Sequence, residues 1–296
     1  MKQQLRFALF GNPFQVKKSS AMQELICGLE KIGAKILIDK PLRDFLVQDS
    51  DFTCNICHTI DGDDFEADYV VVMGGDGTFL EAARRVGNKQ IPILGINMGR
   101  LGFLADFSAS EIGEALDLLT KGKPYTEARN VLQVEYSEGS PKDYPFALNE
   151  VAVLKRDNSS MISIRVDING EYLTTYQADG LIINTPTGST GYALSVGGPI
   201  MAPGSHVMGI APVAPHSLNV RPLTLCDDAE VSLSVESRSH NFLVAIDGRS
   251  ESCQEDIRLT IRKANYEVLV LKNPKKSYFS TLRNKLMWGN DIRTER

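Results

Sequence analysis

The amino-acid sequence predicts an α/β amino-terminal domain, built on a doubly wound, mostly parallel sheet, followed by a β-rich carboxy-terminal domain. Three observations lead there. Strand-like and helix-like stretches alternate over the first 120 or so residues, the pattern of a parallel sheet with helices on both faces. One of the strands, Tyr69-Val70-Val71-Val72-Met73, is apolar without alternation, so it reads as buried on both faces. After Lys121-Gly122-Lys123-Pro124 the helical periodicity stops and short apolar runs take over.

The elements follow in order. Residues 7–10 form a strand, and residues 21–32 carry Met22, Leu25, Ile26, Leu29 and Ile32 at helical spacing. Residues 35–39, 69–73 and 91–96 are further strands, and residues 78–86 a helix. Ser108 to Glu111 is a capping box ahead of a helix over 112–119. In the second half, residues 132–136, 146–154, 162–168, 180–183, 231–235, 242–246, 257–261 and 266–271 read as strands, with Asn169-Gly170 a hairpin turn. The expected domains are 1–124 and 125–274. Residues 275–296, including a helical or irregular stretch over 278–287, are expected to pack back on the first domain.

With 296 residues, 43% apolar and 23% charged, the composition is that of an ordinary globular chain. A net charge of −5 supplies no basic footprint, so nucleic acid is not expected as a partner. The chain has no signal-type apolar segment at its start and no run long enough to span a bilayer, so a cytoplasmic protein without membrane attachment is expected. Five cysteines make a poor disulfide framework. Cys54-Asn55-Ile56-Cys57-His58 matches the haem-attachment pattern, but covalent haem calls for export, and no second cysteine pair stands at zinc spacing.

Chemistry concentrates in three places. Gly74-Gly75-Asp76-Gly77-Thr78 follows a buried strand and opens a helix, whose free amides favour an anion such as phosphate. It is neither a Walker A loop nor a dinucleotide fingerprint. Asp76 would repel phosphate, so its presence calls for a metal ion or for a proton to remove. Thr185 to Ser195 interleaves hydroxyls with Gly188 and Gly191, and Tyr192 offers a ring face to a base. Asn149-Glu150 interrupts the otherwise apolar FALNEVAVL, and such polar neighbours are costly unless something pairs them.

Taken with Asp179-Gly180-Leu181-Ile182, Gly197-Gly198-Pro199-Ile200 and the stretch from Asn97 to Leu104, these motifs resemble the NAD kinase family in the same order along nearly the whole chain. The resemblance implies transfer of the γ-phosphoryl of ATP to the 2′-hydroxyl of the adenosine ribose of NAD, giving NADP, with a divalent cation such as Mg²⁺. It implies small-molecule nucleotides as partners and a homodimer or homotetramer. Asp76 aligns with the family's proton acceptor, beside phosphate-binding Gly74, Gly75, Gly77 and Thr78. Asn149 and Glu150 match the pair that holds the adenosine ribose, and Asp179 the acid at the nicotinamide end. Thr187, Thr190, Gly191, Tyr192, Ala193, Leu194 and Ser195 match the adenine-side loop. No metal ligand is expected from the protein's histidines, and His206 and His216 read as structural.

Some positions depart from the family pattern. Glu81 stands where many relatives carry a basic residue, which turns attention to Arg84, Arg85, Arg100 or Mg²⁺ for phosphate charge, although Arg84 and Arg85 read as solvated helix charges. Gly191 replaces a common alanine, and Ser160, Gln177 and Arg249 differ from frequent cofactor contacts. The rival readings are a lipid kinase, since such enzymes share the Gly-Gly-Asp-Gly-Thr loop, with 6-phosphofructokinases carrying a related one, a non-catalytic NAD(P) sensor, and a haem carrier.

Overall fold

The structure is a computed structural model that describes residues 4–16, 20–48, 57–99, 102–122, 124–139, 141, 144–156 and 160–289. The chain divides into two compact units, Met1–Ala128 with Val268–Arg296, and Arg129–Glu267. The second division falls inside a strand and not at Pro274, because Val270 pairs with Ile93 in the first unit's sheet.

The first unit runs β1 (Arg6–Gly11), α1 (Pro13–Val16), α2 (Ala21–Lys31), β2 (Lys35–Asp39), α3 (Lys40–Leu46), β3 (Cys57–Ile60), β4 (Tyr69–Gly74), α4 (Asp76–Val86), β5 (Ile93–Asn97), β6 (Phe107–Ser108) and α5 (Ile112–Thr120). Strands β5-β4-β1-β2-β3 pair in parallel in that order. The chain moves outward from β1 to β2 and β3, then returns to β1's other side at β4. That makes β1 and β4 the topological switch point, where open α/β sheets bind their ligands at the strands' carboxyl ends. The two loops meet there, with the Asn12 N–H donating to the Met73 carbonyl at 3.0 Å.

Burial follows the pattern of the sequence. Met22, Leu25, Ile26 and Leu29 of α2 pack on Phe7, Leu9, Ile36 and Ile38, whereas Ile32 lies past the helix end and is 46% exposed. Phe79, Ala82, Ala83 and Val86 form the buried face of α4. That helix begins at Asp76, two residues earlier than its pattern predicts, with Gly75 extended at its N-cap. Among the elements the sequence does not announce, α3 starts on a proline turn, and β3 is a four-residue strand with only Ile60 buried.

The remaining strands are β7 (Thr126–Tyr136), β8 (Phe146–Ala147), β9 (Glu150–Lys155), β10 (Ile162–Ile168), β11 (Glu171–Ala178), β12 (Gly180–Asn184), β13 (Val207–Val213), β14 (Leu223–Cys226), β15 (Val231–Glu236), β16 (Asn241–Ile246), β17 (Arg249–Gln254) and β18 (Leu259–Leu271). Two short helices complete the chain, α6 (Tyr192–Ser195) and α7 (Tyr278–Leu286). In the second unit, an antiparallel sheet ordered β14-β13-β12-β9-β16-β17 buries Val151, Val153, Leu181, Ile183 and Val244 in one core with Ile164, Val166, Leu233 and Ile261 of a second sheet. Asn169 and Gly170 both take positive φ and turn β10 into β11. The expected strand over 146–154 is broken in two, while residues 259–261 of the run 257–261 and all of the run 266–271 belong to the single strand β18. Strands β13 and β17 are interrupted by Gly and Pro or by Ser and Glu and do not read as apolar runs, and β14 is only the four residues Leu-Thr-Leu-Cys.

The last strand hands the chain to a charged clamp. Lys272 pairs with Asp106 at 2.6 Å, both nearly buried, and Lys276 donates to the Asp106 carbonyl and to Glu111. Although burial opposes it, Lys276 and Ser108 bring the Glu111 carboxyl down to about 2. Removing one partner of a buried pair strands the other charge. Lys272→Met is therefore expected to cost about 3–5 kcal/mol, measured as a lower midpoint in urea unfolding.

Candidate active site

Asp76 stands at the end of β4, where the apolar strand gives way to Gly74 and Gly75. Its Oδ2 accepts from the Phe103 N–H at 3.1 Å and its Oδ1 from the Leu104 N–H at 3.2 Å. Lys285 Nζ lies 3.4 Å from Oδ2. A Cβ at Gly102 would meet Oδ1 at 2.1 Å, so only glycine lets the loop approach this closely. None of Gly74, Gly75 and Gly77 has positive φ. Gly74 makes room for the Thr78 side chain, while Gly75 and Gly77 border open space that a phosphate can occupy. The glycines serve close approach and not a left-handed turn. Asp76 itself is one-third exposed, held by donors yet reachable.

In the second unit the polar anomaly at Asn149-Glu150 has a physical cause. The Asp247 carboxylate accepts the N–H groups of Leu148, Asn149 and Glu150 at 2.7, 2.9 and 3.1 Å, and so bends the chain between β8 and β9. Asp247 and Gly248 have φ of 47° and 81° and form the turn between β16 and β17. The Asp-Gly pair signals that hairpin in the sequence, but nothing local signals that its carboxylate reaches across to residue 148. Among the described residues, Asn149 Oδ1 and Glu150 Oε2 are buried and meet no hydrogen-bond partner. Buried polar atoms are paired in folded proteins, so two such acceptors side by side point to an absent donor. A sugar diol supplies donors of that kind.

Burial first, and the Asp247 charge second, push the Glu150 carboxyl up to about 7, against the Tyr192 N–H that it accepts. Burial also raises Asp247, while its three amides pull the other way. Of the two, Asp247 has the donors that favour the ion, and Glu150 is the one that takes the proton.

The loop from Thr185 closes over this pair. Thr185 Oγ1 donates to the Leu148 carbonyl at 2.6 Å, and the Thr185 N–H donates to the Asn149 carbonyl. Gly188 packs directly on residue 149, where a Cβ would lie 2.1 Å from the Asn149 oxygen. At Gly191 a Cβ would meet Glu150 Oε2 at 2.9 Å, so glycine here widens the space beside the orphan oxygen. Thr187 is nearly buried, Thr190 donates to the Thr187 carbonyl, and Ser195 donates to the Tyr192 carbonyl. Ala193 is buried against Ala152, Ile182 and Ala211, while Tyr192 is 38% exposed. The hydroxyls of Thr190 and Ser195 thus shape the loop, and the free surface is that of Tyr192.

Asp179 pairs with Lys155 at 2.7 Å and lines a cavity of about 520 Å³ with Ser160, Gln177 and His216. Ser160 and Gln177, doubtful in the sequence, share the Asp179 cavity. Arg249 instead donates to the carbonyls of Tyr144 and Phe146 and tethers that segment. His206 pairs with Asp227, itself held by Lys263 and Asn130.

The expectation that Arg84 and Arg85 are solvated is corrected. Their side chains are 19% and 11% exposed, Arg84 bound to Glu81 and Asp63, and Arg85 to Asp39 and Asp63 beneath the Phe10 ring. Asp39 and Asp63 capture them from neighbouring segments, and of these contacts only the Glu81–Arg84 pair, one helical turn apart, is legible in local spacing. Arg100 and Cys54 lie outside the described residues. Cys57 is disulfide-bonded, which leaves it no thiol for a haem thioether. Among the described residues no three His, Cys, Asp or Glu side chains converge as a metal site, and no helix is long and apolar enough to cross a membrane.

A doubly wound unit with a carboxylate at its switch point, in one chain with a two-sheet β unit that presents unpaired sugar-type acceptors, defines a nucleotide kinase architecture. Residues 7–124 match the ATP-NAD kinase N-terminal domain and residues 148–273 the ATP-NAD kinase C-terminal domain. An NAD kinase of Bacteroides fragilis (strain ATCC 25285) is 57% identical over 98% of this chain and 100% of its own length. The crystal structure of an Archaeoglobus fulgidus NAD kinase in complex with ATP is similar at a TM-score of 0.73 and 25% identity, covering 96% of this chain and 99% of that one. The yeast NADH kinase complexed with NADH shares the fold at a TM-score of 0.90 and 20% identity, covering 100% and 91%. The chain belongs to the NAD kinase family.

The raised Glu150 carboxyl has a cost in stability. Between the ordinary glutamate range and about 7 the folded chain holds a proton that the unfolded chain has released, so stability falls as pH rises through that window. Glu150→Gln is expected to match the parent below pH 4.5 and to exceed it by roughly 1–3 kcal/mol above pH 7, read by urea unfolding at several pH values.

Proposed function

We propose that this NAD kinase transfers the γ-phosphoryl group of ATP to the 2′-hydroxyl of the adenosine ribose of NAD, yielding NADP and ADP, with Asp76 as general base. The observation that carries the reading is Asp76: a carboxylate at the switch point, oriented through both oxygens by the Phe103 and Leu104 amides and still open to a substrate. Phosphoryl transfer asks the protein chiefly for positioning and charge stabilisation. Asp76 takes the proton of the 2′-hydroxyl as that oxygen bonds to the γ-phosphorus, and the bond to the β–γ bridging oxygen breaks to release ADP. Gly75 and Gly77 leave the phosphates room at the α4 N-terminus.

Asn149 Oδ1 and Glu150 Oε2 accept from the adenosine ribose, and the Gly191 opening admits the sugar beside them. Thr187, Thr190 and Tyr192 to Ser195 form the adenine-side wall, and Asp179 the nicotinamide end within its cavity. A divalent cation such as Mg²⁺ neutralises phosphate charge when bound. The proposal includes a cytoplasmic location and a homodimer or homotetramer. Exposed Tyr172 and Leu173 on the edge strand β11 support the assembly. A lipid kinase or an idle sensor is not favoured, since the 57% identical full-length relative is an NAD kinase.

Purified protein given NAD, ATP and Mg²⁺ should form NADP, detected with an NADP-specific dehydrogenase. Asp76→Asn should lower turnover by about 10²-fold or more, and near-normal turnover in that variant would remove Asp76 from the base role. Asn149→Ala should weaken NAD binding, with unchanged affinity arguing against the ribose contact. Because the ribose donors need the ionised Glu150, NAD affinity should fall as pH drops below about 7. Calorimetric titration at pH 6 and 8 reads the difference, which Glu150→Gln should abolish.

A further inference from the structure

The cation beside Asp76 does not come from its own helix. Arg84 is consumed by Glu81 and Asp63, and Arg85 by Asp39, Asp63 and the Gly62 carbonyl. The ammonium that reaches Asp76 belongs to Lys285, 209 positions later in the chain, on α7. Its Nζ lies 3.4 Å from Oδ2 and 4.4 Å from the centroid of the Phe103 ring. Phe103 therefore acts twice: its N–H donates to the same Oδ2, and its ring holds the ammonium that faces that oxygen.

The element that delivers Lys285 is firmly held. Lys272, Asn273 and Lys276 fasten the chain ahead of α7 to Asp106 and Glu111, and Ser277 caps the helix through the Ser280 N–H. Asp106 lies only two residues past Leu104, whose amide takes Oδ1. The segment from Phe103 to Asp106 is thus gripped by Asp76 on one side and by the carboxy-terminal lysines on the other. Both Lys285 and Asp76 stay about one-third exposed, so the pair is placed and not sealed.

We propose that Lys285 is a positioning residue for the phosphoryl transfer, holding the Asp76 carboxylate in its reactive orientation through the Lys285–Oδ2–Phe103 contact. The proposal rests on the reading of Asp76 as base. A charge-assisted donor fixes the plane of a carboxylate more firmly than amides alone, and misplacement of a base by an ångström is costly in rate.

The test is steady-state kinetics on Lys285→Met, Lys285→Arg, Asp76→Asn and the Asp76→Asn/Lys285→Met double variant, with NAD and ATP each varied. Lys285→Met should lower kcat by about tenfold or more while KM for NAD stays within about twofold. Lys285→Arg should recover most of the loss. In the Asp76→Asn background, removing Lys285 should change little, since its target is gone. Unchanged kcat in Lys285→Met would overturn the proposal, as would an equal loss in both backgrounds or a loss that arginine does not rescue. A rise confined to KM for ATP would assign Lys285 to the donor's phosphates and overturn the positioning role. Full turnover in Asp76→Asn, by contrast, would sink the base reading itself, whatever Lys285 does.

Discussion

A backbone N–H taken out of a strand ladder inside a protein must find another acceptor, and both halves of the proposed machinery are built on that constraint. In the first unit the segment after β5 offers the amides of Phe103 and Leu104, and the carboxylate of Asp76 takes them. In the second, the break between β8 and β9 frees the amides of Leu148, Asn149 and Glu150, and Asp247 takes all three. The same hydrogen bonds that satisfy the backbone set the aim of the functional side chains. Asp76 is oriented as an acceptor, and Asn149 and Glu150 stand at the break where β9 begins, with Asn149 Oδ1 and Glu150 Oε2 unpaired among the described residues.

The second of these arrangements works against stability. Two carboxylates, Glu150 and Asp247, share a largely buried region, and only Asp247 has a full set of donors. The chain keeps an acid whose ionisation is held back by its surroundings. Gly188 and Gly191 belong to the same economy of space: one lets the covering loop press on residue 149, and the other leaves room beside the unpaired oxygen. A side chain at either position would fill or displace what the ribose reading requires.

Charge in the first unit is distributed by distance along the chain. The two arginines of α4 lock neighbouring acidic loops to the helix, a role in stability. The lysines after β18 brace the segment that carries Phe103, Leu104 and Asp106. Lys285 then completes the surroundings of Asp76 from an element that the strand order alone would not associate with the loop. The carboxy-terminal segment is therefore part of the first unit's chemistry as well as of its packing.

The sequence by itself determined whatever depends on a few consecutive residues. The buried strand Tyr69–Gly74, the stripe of α2, the capping box at Ser108 and the turn at Asn169-Gly170 are all written in local periodicity or local backbone preference. The motif order, with Asp76, Asn149-Glu150 and the Thr185 loop, sufficed to suggest the family. Tertiary structure alone decided where Asp247 and Lys285 reach, that Arg84 and Arg85 are captured, that strand 146–154 breaks, and that residues 259–271 form one strand. Apart from the Glu81–Arg84 pair within α4, those outcomes depend on partners some twenty to two hundred positions away. A side chain's spacing along the chain carries no imprint of an acceptor that only the folded geometry brings within 3 Å or so of it.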